Sequence, residues 1–160
     1  MEEIKMKKKI IAGLMSMMFV VAMAVPVAAS DTLTVTYQEP NAYTVDIPAN
    51  IVLKVGEDKT ESITATDMNI EPTKRVSVEV ASGIAGGEVT LARANSTDET
   101  KSEVRVMPED VVLTNNHEVA TFINQSTSPA TGGTLHFAGL ANNLKAGAWS
   151  GQIVFSISVK

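Results

Sequence analysis

From Asp31 to the end of the chain, apolar and polar residues alternate with a period of two, the pattern of half-buried β-strands. Leu33, Val35 and Tyr37 alternate with Thr32, Thr34 and Thr36. Tyr43, Val45 and Ile47 follow, and Pro48-Ala49-Asn50 reads as a turn. Ile51, Leu53 and Val55 continue on one face until Gly56-Glu57-Asp58, and Ser62 to Thr66 predicts a shorter strand. Val76, Val78 and Val80 alternate with Arg75, Ser77 and Glu79. The glycine-rich stretch Ala81 to Gly87 reads as a connection. Val89 with Leu91, and Val104 with Val106, mark two further strands, closed by Asn95-Ser96-Thr97-Asp98 and by Pro108. Val111 to Leu113, Asn115-Asn116 and Glu118 to Ile123 predict a hairpin or corner. Ser126 to Gly133 reads as a long polar loop. Leu135 and Phe137 open the next strand, and Ile153, Phe155, Ile157 and Val159 alternate to the end.

Turn signals thus recur about every ten residues, the spacing of a β-sandwich. β-Branched Thr, Val and Ile fill the strands because their restricted χ1 suits a pleated surface. No segment after residue 30 keeps a helical apolar period between caps. The expectation is an all-β, antiparallel sandwich of immunoglobulin-like type, with about eight to ten strands in one domain over residues 30–160.

The first 29 residues break this pattern. Lys5, Lys7, Lys8 and Lys9 precede an uncharged apolar run from Ile10 to Val25, which Pro26 ends. Val27 and Ala29 then occupy the small-residue positions of a cleavage site before Ser30. This order of segments is that of a helical secretory signal peptide over residues 1–29, cut between Ala29 and Ser30. Lysines hold the cytoplasmic side while the apolar run enters the bilayer. An uncleaved anchor is the competing reading, but the run falls short of the roughly 20 residues of a full span. Met1 and Met6 both suit as the start.

Cleavage would leave 131 of the 160 residues. The leader takes 4 of the 13 basic and 2 of the 18 acidic residues, so the remainder carries a net charge of −7. Such a domain repels phosphate backbones, which argues against nucleic acid and against anionic lipid as partners. Cysteine is absent, so the fold depends on apolar burial without disulfides, and thiol chemistry is excluded.

Candidate chemistry is sparse. His136 lies between two inward-facing residues and so points to solvent, and His117 sits at a turn. Neither has the paired spacing of a zinc site. No GxSxG elbow or SxxK motif accompanies the many hydroxyls. Asp67, Asn69 and Glu71 place oxygen donors at alternate positions of an expected loop. Calcium takes about six to eight such ligands, although turn chemistry accounts for the same residues. Trp149, the single tryptophan, could stack on a sugar ring, yet counting back from Ile153 places it on the core-facing side as a cap. Tyr37 and Tyr43 flank the turn at Gln38 to Asn41, either as a surface aromatic pair or at the core edge.

Tyr43 to Leu53 (YTVDIPANIVL) with SITATDMNIEP resembles modules of extracellular proteins from Gram-positive Firmicutes. Leu144 to Val159 (LKAGAWSGQIVFSISV) resembles the C-terminal strand of WxL-type cell-wall surface domains. The two stretches span about a quarter of the chain after the leader. The resemblance implies a WxL-like, exported, surface-associated β-sandwich and no catalytic residues. The chain departs from the family because no Trp-x-Leu motif occurs: Ser150 and Gly151 follow Trp149. The wall attachment that depends on that motif therefore does not carry over.

These features lead to an expectation of a non-enzymatic structural or adhesive surface protein, secreted or held at the cell surface. Its expected partner is an envelope component, another surface protein or a second copy joined through edge strands. A carbohydrate-binding module is the alternative reading, and a small secreted enzyme the third.

Overall fold

The computed structural model describes residues 36–124 and 129–160. The leader, the Ala29–Ser30 junction and the strand expected at Leu33 and Val35 lie outside these residues. Among the described residues no helix is long and apolar enough to cross a membrane.

The described chain is all-β, with eleven strands: β1 (Ala42–Asp46), β2 (Lys59–Asn69), β3 (Val76–Ser82), β4 (Ile84–Ala85), β5 (Glu88–Arg93), β6 (Glu99–Met107), β7 (Val111–Val112), β8 (Glu118–Phe122), β9 (Ala130–Phe137), β10 (Trp149–Ser150) and β11 (Val154–Val159). β4, β7 and β10 are two residues long, so the count exceeds the sequence expectation only by such fragments. All strand pairings are antiparallel. The larger sheet runs β1-β2-β9-β6-β5-β10, with β4 on β5 and β7 on β6, and the smaller sheet runs β11-β3-β8.

Alternation decides what each strand buries. In β3 it places Val76, Val78 and Val80 fully inside. β6 turns Thr100, Ser102, Val104 and Val106 inward. The buried Ser102 hydroxyl is satisfied there by donating to the Ala138 carbonyl at 2.6 Å. Ile63 and Ala65 from β2, Leu135 and Phe137 from β9, and Phe122 from β8 complete one apolar cluster between the sheets.

Four expectations are corrected. Ile51, Leu53 and Val55 form no strand. After Pro48 the chain leaves β2 and makes only isolated bridges, at Lys54–Glu57 and Val55–Leu140. Ser62 to Thr66 is the middle of an eleven-residue strand. Asp67 and Asn69 belong to that strand rather than to a loop, and Asp67 sits at a β-bulge with φ of 54°. Ala130 to Gly133, expected in a loop, lies within β9.

Gly132 and Gly133 have a packing reason to be there. A Cβ on Gly133 would stand 1.9 Å from the Val119 carbonyl oxygen, and one on Gly132 would stand 2.4 Å from the Phe122 ring. Glycine inside a strand marks such close backbone approach. Here it lets β8 settle onto β9, and a bulge in β8 turns both Val119 and Ala120 inward.

The chain also changes sheets once near its end. β10 pairs with β5 in the large sheet, whereas β11 pairs with β3 in the small one. The crossing at Gly151–Ile153 is tight on both sides. A Cβ on Gly151 would meet the Thr90 oxygen at 2.3 Å, and a Cβ on Gly83 would meet the Gln152 oxygen at 2.2 Å.

Candidate functional site

The departure of the chain at Pro48 and the sheet change at Gly151 leave a groove of about 630 Å³ between the two sheets. It is lined by Val45, Ile47, Ile51 and Leu53, by Trp149, Phe155 and Ile157, and by the buried Ile63, Leu135 and Phe137. Glu61 is the one charged residue among the described lining, and it pairs with Lys59 at 3.0 Å. Such a lining favours an apolar occupant.

Trp149 lines this groove, partly buried and packed on the core. Its indole Nε1 donates to the Lys145 carbonyl at 3.1 Å. The ring thus packs on the core as the parity count required, and its polar handle is already used. Tyr43 is also partly buried against the core, whereas Tyr37 is 85% exposed. The two tyrosines therefore occupy different environments.

Asp67 and Asn69 are exposed on β2, with Glu71 two residues beyond. The Glu71 carboxylate faces Lys74 at 3.7 Å, and its backbone N–H donates to Asn41 Oδ1 at 2.7 Å. Among the described residues no three His, Cys, Asp or Glu side chains come together where they could hold a metal ion.

A second pocket, about 380 Å³, opens between the Met107–Pro108 corner, β8 and β9, with His117 and Glu118 on its wall. The Glu118 carboxylate accepts hydrogen bonds from Ser77 and Thr121 and faces Arg75 at 3.3 Å and Lys160 at 3.8 Å. The Ser77 hydrogen bond chiefly holds its pKa below the usual value; burial opposes this, and Thr121, Arg75 and Lys160 add to it. A carboxylate so stabilised is a poor proton donor near neutral pH. His136, as expected between buried neighbours, turns outward and lies 3.3 Å from Asp58.

Sequence reasoning passed over two polar clusters that span strands. One is the set around Glu118. The other joins Asp98 to Arg93 at 2.7 Å and to Lys145 at 3.0 Å. Their central carboxylates contact residues up to 47 positions away, so no local spacing announces them. Asn124 acts similarly. Its side-chain oxygen accepts from the Ile70 N–H at 2.7 Å and its amide donates back to the Ile70 carbonyl, standing in for a neighbouring strand.

Comparison of the chain with protein-family models, with curated proteins and with solved structures found no match.

Proposed function

We propose that the protein is an exported, non-enzymatic component of a bacterial cell surface, acting as a structural or adhesive module with WxL-like character. The observation that carries this reading is the N-terminal order of lysines, apolar run, Pro26 and the small residues Val27 and Ala29 before an all-β domain. The frame supports it. Polar side chains are spent on latches between strands, as at Ser77–Glu118 and Arg93–Asp98, and the apolar ones on a core that stands without disulfides. These are the features of a rigid body that presents surfaces.

The test is to separate cytoplasm, membrane, wall and medium of the producing cell, then determine the N-terminus and intact mass of the recovered protein. Recovery from wall or surface with an N-terminus at Ser30 supports the proposal. Recovery from the cytoplasm with the leader intact refutes it.

Glycan binding is the second reading, favoured by the presence of Trp149 in the lining of the groove. An aromatic ring at a concave site can stack on the apolar face of a sugar. Quenching of Trp149 fluorescence by wall polysaccharide would support it, and an unchanged spectrum would remove it.

A further inference from the structure

β11 is the outer strand of the small sheet and pairs only with β3 among the described strands. The other long edges are guarded. β8 lies against β9, at the close approach of Gly133 to Val119. β1 carries Asp46 and is followed by Pro48. β11 reads VFSISV, six residues without a charge, proline or glycine. Natural sheets block exposed edges with such residues, and an edge left open for this length is a template for another strand. The segment 47–53 flanks the adjoining groove but makes no bridge to β11.

The pairing with β3 fixes which backbone groups are left over. Lys160 and Arg75 exchange both hydrogen bonds, N–H to carbonyl in each direction at 2.9 Å. In an antiparallel ladder every second residue does this, so Ser158 and Ser156 also point toward β3. The N–H and C=O groups of Phe155, Ile157 and Val159 therefore face the open edge. They are symmetric about Ile157.

We propose that a second copy of this chain occupies that edge, with β11 running antiparallel to its own counterpart about a two-fold axis through Ile157. In this register Ile157 meets Ile157, Phe155 meets Val159, Ser156 meets Ser158, and six backbone hydrogen bonds form, about two per pair. The three-stranded sheets then join as β8-β3-β11-β11-β3-β8. Self-pairing suits the chemistry of the strand. Phe155 and Ile157 are only partly buried in the monomer and would be covered, and Val154, 42% exposed, would lie beside the Lys160 stem. The bordering charges are already neutralised, since Lys160 pairs with Glu79 and faces Glu118. The edge thus brings no unpaired charge of its own into the contact, although the chain as a whole carries a net charge of −5. The inference does not depend on where the protein resides.

Sedimentation of the purified protein should give twice the chain mass. Ser156→Lys with Ser158→Lys places like charges directly across the axis and should sediment as a monomer with unchanged circular dichroism. Ser156→Lys with Ser158→Glu places opposite charges in contact and should restore the dimer. Cysteine is absent from the natural chain, so single replacements report the register. Mixed Ser156→Cys and Ser158→Cys proteins should oxidise to a cross-linked pair, because those positions are a non-hydrogen-bonded pair with Cα atoms about 4.5 Å apart. Ser156→Cys alone should cross-link at least ten-fold less. A monomer at every concentration, a dimer that survives the double lysine variant, or equal cross-linking of the mixed and single proteins would each overturn the proposal. The cysteine experiment decides the matter even where the lysine variant fails to fold.

Discussion

Ser77, fully buried on β3, donates its hydroxyl hydrogen bond to the Glu118 carboxylate on β8 at 2.5 Å. Two strands of the small sheet are thereby joined by a side-chain contact in addition to their backbone ladder. Ser77→Ala leaves the half-buried carboxylate one donor short and should cost about 1–2 kcal/mol, read as a lower urea midpoint at pH 7.

The same contact sets a pH dependence. Glu118 is held below the ordinary glutamate value, first by Ser77 and then by Thr121, Arg75 and Lys160 against the opposing effect of burial. Its depressed value means the unfolded chain takes up the proton first. The stability it contributes is complete above the ordinary glutamate value of 4.5 and is lost as the pH falls through the lower folded value. The urea midpoint of the natural protein should therefore fall as the medium is acidified below that point, and the fall should be shallower in Glu118→Gln. Parallel curves for the two proteins would show that Glu118 is not the titrating latch.

Gly133 tests the seating of β8 on β9. A methyl group at this position would stand 1.9 Å from a backbone oxygen, and neither strand can yield without breaking its ladder. Gly133→Ala should cost about 3 kcal/mol, at the upper end for overpacked sites. Gly86→Ala is the contrast, since its added Cβ meets open space and only the left-handed backbone, φ 61°, resists it. That variant should lose about 1 kcal/mol. Equal thermal shifts in the two would refute the close-approach account.

The two kinds of glycine also show where the sequence was legible. Alternation correctly marked β3, β5, β6 and the inward side of β11, because burial on one face of a strand leaves a direct imprint on residue type. It misplaced Ile51 to Val55 for the same reason. Ile51 and Leu53 are partly buried against the core and line the groove, but the backbone carrying them is not in a ladder, and alternation records burial rather than hydrogen bonding. Gly132–Gly133 beside Thr and Pro looked like loop chemistry, although glycine within a strand pattern is itself a signal of backbone contact. The sheet change at Gly151 was hidden because Trp149 and Ile153 keep the parity of one continuous strand. Trp149 was placed correctly by that parity. The Glu118 and Asp98 clusters depend on strand order, which period-two patterns do not contain.

Phe122 reports on the depth of the core. Its ring is fully buried over Gly132, where only a residue without a side chain admits it. Phe122→Ala should lose about 3–5 kcal/mol through lost burial and the cavity left behind. Val52, 77% exposed, should tolerate Ser within about 0.5 kcal/mol. Chemical denaturation of both variants, with unchanged m-values, measures the difference. A comparable loss in the two would mean that the core is not where β8 and β9 meet.

Trp149 offers a built-in reporter for the loop that carries it. Asp98 grips Lys145 with both carboxylate oxygens, at 3.0 and 3.2 Å, and the carbonyl of that same Lys145 receives the Trp149 indole N–H. Arg93 holds the other side of Asp98 at 2.7 Å and also donates to the Ala146 carbonyl. Cutting the grip with Asp98→Asn should therefore loosen residues 145–149 without unfolding the sandwich. As Trp149 is the single tryptophan, its emission should move to the red and become more accessible to acrylamide. The natural protein should show the same change on acidification. Asp98 is held below its usual value, chiefly by its hydrogen bonds to Lys145 and Ser96, so the grip persists through mildly acid pH and fails only as the pH drops through that lowered value. Sodium chloride should weaken it too, because the cluster is open to solvent. If Asp98→Asn leaves emission and quenching unchanged at every pH, the indole is held by its packing on the core alone.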